Sequence, residues 1–384
     1  MVCGAGPTAT AQHGTKAAQR CLGGEFCPEP PGLIFRTLYS ALLVFSVLTM
    51  RRLLWTSLLS ILLYLTAFGA LVDRPLSLGL VQLELAQKTT RLAAMPSPKL
   101  IILAGSNGPY SHSCVVLGAM LNLPCENAGI AVGIGLDDIF AHYASLLRPG
   151  DVVYMPMEIE QYAATWAQYR AGVDGGFLLR HDPEILRQLP AGRIFGAVFC
   201  CNLADLLESL AEMPMARFGG INPGRLLAAE YNVQGDRIDN ALVNADTALL
   251  NHQPRVLPDG TTITDGYGAA LIARFVARET SRKIIVIGGL PTDFTTVVLT
   301  RTQIRAVASI YTTHGGGFMT LPNDSLYPAT DFFNSEDHLA RPCQYLHTMA
   351  VANALAALLH RPVVPPGNRV VRFAQTCPST LAGR

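Results

Sequence analysis

The chain has 384 residues, 50 % of them hydrophobic and 15 % charged, and its 29 Lys+Arg against 28 Asp+Glu leave a formal net charge of +1. That length and apolar content exclude a mostly disordered chain and predict one sizeable globular domain with appendages. With no basic excess and no basic stripe interleaved with aromatics, nucleic acid is excluded as a charge-driven partner.

Residues 1–49, rich in Gly, Pro and Cys, predict no clear fold and read as an upstream extension. Met50, directly before Arg51 and Arg52, is the expected start of the working protein. Leu53–Val72 carries no charge over about the length that crosses a bilayer. Two arginines precede it, which predicts a cytoplasmic start and an exported remainder. The expected arrangement is an inner-membrane anchor over 50–73, single-pass, with the C-terminal part in the periplasm. The alternative is a cleaved signal peptide, with Ala67 and Gly69 as the small residues before the cut and a secreted product. A second apolar run, Leu38–Leu48, leaves a hairpin of two spans open.

Residues 74–98 predict a polar, partly helical stalk. The main domain is expected over 99–362, followed by a tail at 363–384. Residues 99–106 read as a buried strand that delivers Ser106 to a turn. The β-branched runs at 151–157 and 283–289 read as further strands covered on both faces, and Phe318–Leu321 as a weaker one. Helical patterns around 111–122, 136–147, 301–310 and 341–359 alternate with them. This alternation predicts an α/β fold with a parallel sheet between helical layers. The stretch of about 158–282 breaks the rhythm, and its motifs GGINPGR, NVQGDRIDN and VLPDGTTITDG read as loops and turns of a large insertion facing substrate.

Six of the nine cysteines, Cys114, Cys125, Cys200, Cys201, Cys343 and Cys377, fall in the exported part, where an oxidising compartment permits disulfides. The vicinal pair Cys200 and Cys201 reads as buried small hydrophobes. No Cys-x-x-Cys or His-Glu-x-x-His spacing is present, so neither a metal site nor a cofactor is expected.

Two segments offer chemistry. In AGSNGPYSH, residues 104–112, Ser106 follows a buried strand and is flanked by Gly105 and Gly108. It is either a nucleophile or a helix cap, a role Asn107 or Ser111 fills equally well. In TDFFNSEDHLARP, residues 330–342, His338 has Asp331, Glu336 and Asp337 close in sequence, as a general base held by an acceptor requires. Alone, such a cluster at a helix start is ordinarily solvated and capping.

Together these segments resemble the first and last motifs of the SGNH (GDSL-like) hydrolase superfamily, closest to its membrane-anchored, exopolysaccharide-associated branch. The resemblance covers about 99–157 and 283–360 and implies a three-layer α/β/α, flavodoxin-like domain. It implies Ser106 as nucleophile with its own N–H as one oxyanion donor, and His338 as base. Asn127–Gly133 resembles the second family block, so Gly133 or, by slightly poorer spacing, Gly129 supplies another donor, with Asn107 beside them. Gly105 stands where the family often has Asp. Glu158 or Glu160 stands where it has the oxyanion Asn, and a carboxylate there repels an oxyanion unless protonated or turned away. The position of the family's acid is Ser335, which leaves Asn334, Glu336 or Asp331 to assist His338. The implied function is an esterase or O-acyltransferase acting on acyl groups of an exopolysaccharide such as cellulose. The implied partners are that polysaccharide, other components of its synthesis complex, and the membrane. The competing expectation is a scaffold or glycan-binding accessory that keeps the fold without turnover.

Other residues have plainer readings beside functional ones. His314-Gly-Gly-Gly317 resembles the oxyanion loop of α/β-hydrolase lipases, but it follows the serine instead of preceding it and reads as a turn into the last strand. Asp293, at the end of a strand, is a ligand-binding candidate. His112 reads as a pocket residue or a cap, His142 as a satisfied interface histidine, and Asp236 and Asn240 as sugar contacts or turn residues.

Overall fold

The computed structural model describes residues 32–131, 133–170, 172, 174–246, 250 and 256–382. The chain divides into two compact units, Met1–Leu62 and Leu63–Arg384. The first contributes most of helix α1 (Gly32–Leu71), in which Val47–Gly69 is long and apolar enough to cross a membrane. Because α1 is continuous, Leu38–Leu48 is not a separate span of a hairpin, and residues 32–49 are helical where no fold was expected. The cause is local: no Pro or Gly interrupts the chain between Gly32 and Gly69. The rest of the expected extension, residues 1–31, lies outside the described residues.

In the second unit, helix α2 (Leu78–Ala94) replaces the expected stalk and belongs to the core. Leu85 and Leu92, one apolar face of α2, are buried. Lys88 is buried too. It pairs with Glu84 at 2.6 Å and donates to the Gly129 carbonyl at 2.5 Å.

Strands β1 (Leu100–Ile102), β2 (Cys125–Asn127), β3 (Val152–Met155), β4 (Ile285–Gly288), β5 (Asp293–Phe294), β6 (Gly317–Phe318) and β7 (Leu326–Tyr327) follow. Five form a parallel sheet in the order β2-β1-β3-β4-β6, and β5 pairs with β7. Side chains alternate across the sheet. Leu100 and Ile102 pack with the helices Cys114–Leu121 and Arg341–Leu358. Ile101 and Leu103 pack on the other face with α2 and the helices Leu136–Ala144, Tyr267–Ser281 and Arg301–Thr312. The expected parallel α/β sheet is present; β5 and β7 are two-residue strands too short to leave a periodic signal, and β2, Cys-Glu-Asn, lacks the apolar run that marks β1.

Among the described residues, much of 158–282 is helical where loops were expected, and Tyr267–Ser281 is a core helix rather than part of an insertion, whereas NVQGDRIDN, residues 232–240, is a turn-rich loop as expected. Two of the segment's turn-like residues are helix caps. Asn222 accepts from Arg225 N ahead of Pro223–Glu230, and Asp259 accepts from Thr262 N ahead of Gly260–Asp265. Disulfides join Cys114 to Cys125, Cys343 to Cys377, and Cys200 to Cys201, so the vicinal pair is bonded and not two free hydrophobic thiols. The tail forms the helices Asn368–Ala374 and Pro378–Ala382.

If α2 is core, Leu92→Ala costs about 2–5 kcal/mol, whereas Leu83→Ala, on its exposed face, stays within about 0.5 kcal/mol. Urea unfolding of the two variants measures the difference, and a free stalk would make both silent.

Candidate active site

β1 and β3 end side by side where the sheet order reverses, and each delivers one half of the site. After β1 the chain turns at Gly105 and Ser106 into the short helix Asn107–Ser111. Ser106 is half-buried at the N-cap position, yet its side chain makes no capping bond. After β3, Glu158 is fully buried, and its carboxylate accepts from Gly105 N and Asn107 N, both at 2.9 Å. A Cβ on Gly105 would lie 2.5 Å from a Glu158 carboxylate oxygen, so a side chain at this position is incompatible with the clamp. Burial pushes the Glu158 pKa up to about 7, against the opposing pull of the N–H donors. Glu158 therefore holds the serine turn from behind and is not an oxyanion contact.

Asn107 is also structural. It is fully buried, donates from Nδ2 to Pro156 O at 2.8 Å and accepts at Oδ1 from Thr292 Oγ1 at 2.9 Å. Gly129, not Gly133, packs on the turn: a Cβ there would lie 2.8 Å from Gly105 O and 3.0 Å from Gly108 Cα. Among the described residues, no group accepts from the N–H of Ser106 or of Gly129. Gly133 instead lines a cavity of about 400 Å³ with Glu160, Gln161, Tyr169 and Arg193, among others. Neither Ser106 nor His338 lines that cavity.

His338 is oriented by Asn334, whose Oδ1 lies 2.6 Å from the ring Nδ1. An amide oxygen only accepts, which makes Nδ1 the protonated nitrogen and leaves Nε2 as the basic one. The imidazole stacks on Tyr110 with centroids 3.7 Å apart and planes 11° apart. Tyr110 is one helical turn beyond Ser106, its N–H donating to Ser106 O at 3.2 Å, so the stack brings the imidazole to the serine's helix.

A polar chain ties the two segments together. Ser111 Oγ donates to Asp337 O at 2.8 Å and lies 2.7 Å from Thr292 Oγ1, which bonds Asn107. On the other side Asn240 Nδ2 donates to Leu339 O at 2.8 Å. Burial lowers the His338 pKa to about 3, helped by the positive charge of Arg237, whose guanidinium lies 5.0 Å from the Tyr110 ring centroid.

The remaining candidates stand elsewhere. Asp331 is buried and accepts from Ser379 N at 3.1 Å, serving the C-terminal helix and not the imidazole. Glu336 is half-buried in the same loop, and the ring nitrogen it was to hold is taken by Asn334. Asp293 accepts from its neighbour Phe294 N at 2.7 Å; the residue beside it, Thr292, is the one that reaches the serine turn.

His112 is buried behind the turn with Nδ1 3.3 Å from Asn107 O. Its Nε2 lies 3.2 Å from that of His347, whose Nδ1 meets Tyr327 OH at 2.9 Å. Burial lowers His112 to about 4 and holds His347 well below the ordinary histidine value, where the neighbouring His112 also disfavours its charge. Asp236 accepts from Cys114 N at 2.7 Å and from Ser113 Oγ at 3.1 Å, so it caps a helix and contacts no substrate surface. His142 is satisfied by Asp138 and Asp182, as an interface histidine. Thr292, Tyr110 and Arg237 were not legible as site residues, and Asn240, read as a sugar contact or a turn residue, instead braces the His338 segment. Tyr110 alone lay inside the serine motif.

Comparison of the chain with protein-family models, with curated proteins and with solved structures returns no match.

The Glu158 clamp makes two measurable demands. Gly105→Ala forces a methyl into the carboxylate and is expected to destabilise by roughly 1–3 kcal/mol. Glu158→Gln sets an amide NH2 against a backbone N–H and loses one bond, for a similar cost of about 1–3 kcal/mol. Thermal unfolding of both variants tests this, and a Glu158→Gln protein as stable as the wild type would remove the clamp.

Proposed function

We propose that this protein is a membrane-anchored, exported serine esterase or O-acyltransferase of SGNH-like type, acting on acyl groups of an exopolysaccharide such as cellulose. The observation that carries the reading is the His338 imidazole, oriented by Asn334 and stacked one helical turn from Ser106. Further support comes from the strand order β2-β1-β3-β4-β6, which follows a flavodoxin-like sheet, and from three disulfides that suit an oxidising compartment.

In this mechanism Ser106 Oγ attacks the acyl carbonyl carbon as its proton passes to His338 Nε2. The oxyanion forms against the N–H groups of Ser106 and Gly129, each worth roughly 3 kcal/mol if aimed at the developing charge. The C–O bond to the leaving alcohol then breaks, and that oxygen takes the proton from His338. Water or a sugar hydroxyl next attacks the acyl-enzyme and gives its proton to His338, which passes it to Ser106 Oγ as the bond from that oxygen to the acyl carbon breaks.

A second reading, a non-catalytic scaffold or glycan-binding accessory of a polysaccharide synthesis complex, is favoured by one observation. The group that orients His338 is a neutral amide and not a carboxylate, and burial and Arg237 both disfavour the imidazolium, so the imidazole is a weak base.

Three measurements on the full chain separate these readings. Hydrolysis of an activated acetyl ester is expected, and to vanish in Ser106→Ala; inactivity on acyl donors together with glucan binding would favour the scaffold. Asn334→Ala is expected to lower kcat/KM on the order of 10²-fold by freeing the ring. The base works only when neutral, so activity persists above the depressed pKa and falls as pH drops through about 3, instead of near the ordinary histidine value. Arg237→Gln removes the repelling charge and moves that acid limb upward. An unmoved limb at the ordinary value would take His338 out of the mechanism.

A further inference from the structure

Within the unit Leu63–Arg384, two consecutive helices, Ala191–Val198 and Leu203–Phe218, meet at an angle of 68°. Together they are apolar enough to pass as a broken membrane span. Phe195, Phe199, Leu203, Leu207, Leu210 and Phe218 project outward, between 41 % and 80 % exposed. In the second helix the spacing 203, 207, 210, 218 keeps these side chains on one face. Water disfavours such a contiguous surface, and on a folded unit it marks a contact face.

The opposite face of the second helix is polar and fully engaged. Arg74, just after α1, pairs with Glu208 at 2.7 Å and Glu212 at 3.5 Å. Glu212 also accepts from Leu76 N and Ser77 N, both at 2.9 Å. The acidic side is thus fastened to the chain that leaves α1, which turns the apolar side away from it.

The elbow between the two helices has a defined level on α1. Tyr64 OH donates to Cys201 O at 3.1 Å and accepts from Cys201 N at 3.3 Å, and its ring stacks on Phe199 with centroids 5.6 Å apart. Arg180 Nε caps the end of α1 at Val72 O, 2.9 Å away. Tyr64 lies five residues before Gly69, where the apolar span ends, which is at most about 7.5 Å of helix rise. Amphipathic helices that lie in a membrane surface bury their apolar face about 5–10 Å below the headgroups, and Tyr is a favoured residue at that level.

We propose that the hairpin Ala191–Phe218 lies in the interfacial layer of the phospholipid bilayer, on the side where α1 ends, with its apolar face among the acyl chains and its carboxylates on Arg74 at headgroup level. This rests on α1 crossing that bilayer. The occupant is lipid and not a protein partner because the face is continuous, through Phe199 and Tyr64, with the last turns of the span itself. The hairpin then holds the α/β domain against the membrane surface.

The test uses the full chain in phosphatidylcholine nanodiscs, with and without brominated acyl chains as contact quenchers. Trp55 and Trp166 are replaced by Phe, and a single Trp is introduced as Phe218→Trp, aromatic for aromatic at an exposed site, or as Leu207→Trp. Brominated lipid is expected to reduce either emission to roughly half or less, as for a side chain among acyl chains. Emission unchanged in both variants overturns the proposal, and a protein partner on this face would give that result. Trp55 alone, in a Trp166→Phe chain, reports the anchor separately. Quenching of Trp55 without quenching at 207 or 218 overturns the hairpin and leaves the anchor. Quenching at 207 or 218 without quenching at 55 overturns the anchor and leaves a lipid-bound hairpin.

Discussion

The Glu158 carboxylate, buried at the end of β3, holds the turn at the end of β1 through two backbone N–H groups. Hydrogen bonds to a carboxyl group buried this deeply are strong because water offers no alternative, and leaving those N–H groups unpaired would cost about 1–3 kcal/mol apiece. The clamp excludes any side chain at residue 105 and buries Asn107 as its second half. It also leaves the Ser106 hydroxyl outside the cap it would otherwise form. The turn that carries Ser106 is thus built on that buried carboxyl.

The second layer is the polar chain through Asn107, Thr292, Ser111 and the Asp337 carbonyl. It joins segments more than two hundred residues apart without using a charge. The choice of Asn334 to orient His338 continues the pattern, because a neutral amide fixes the ring without stabilising its cation. Arg237 then disfavours the cation further. The site is well ordered and weakly basic, and these are two separate physical properties. Order comes from satisfied hydrogen bonds. Basicity depends on the net charge around the ring.

The same economy of polar contacts fastens the end of α1, from residue 63 on, to the rest of the unit Leu63–Arg384. Arg74 and Arg180 bind the chain on either side of the end of α1, one through carboxylates and one through carbonyls. Helix α2 follows at once and is buried in the core, so no flexible tether separates the end of α1 from the α/β fold. The position of the domain relative to the end of α1 is therefore set by packing.

The sequence by itself determined the features that depend on neighbours along the chain. The apolar runs of β1, β3 and β4, the uncharged span and the serine turn were legible because burial imposes a period or a length that a local window records. The parallel sheet between helices followed from their alternation. Only the tertiary structure decided which of Asn334, Glu336 and Asp331 meets the imidazole, since all three lie within seven residues of His338 and the fold of the loop selects among them. It likewise decided that Gly129 and not Gly133 lies on the serine turn, because that depends on how closely two backbones approach. Residues 74–98 read as a stalk because α2 buries the charged pair Lys88 and Glu84, which sequence assigns to water. The segment 158–282 read as loops because the Asn, Asp and Pro that make turns also start helices, and packing chooses between the two.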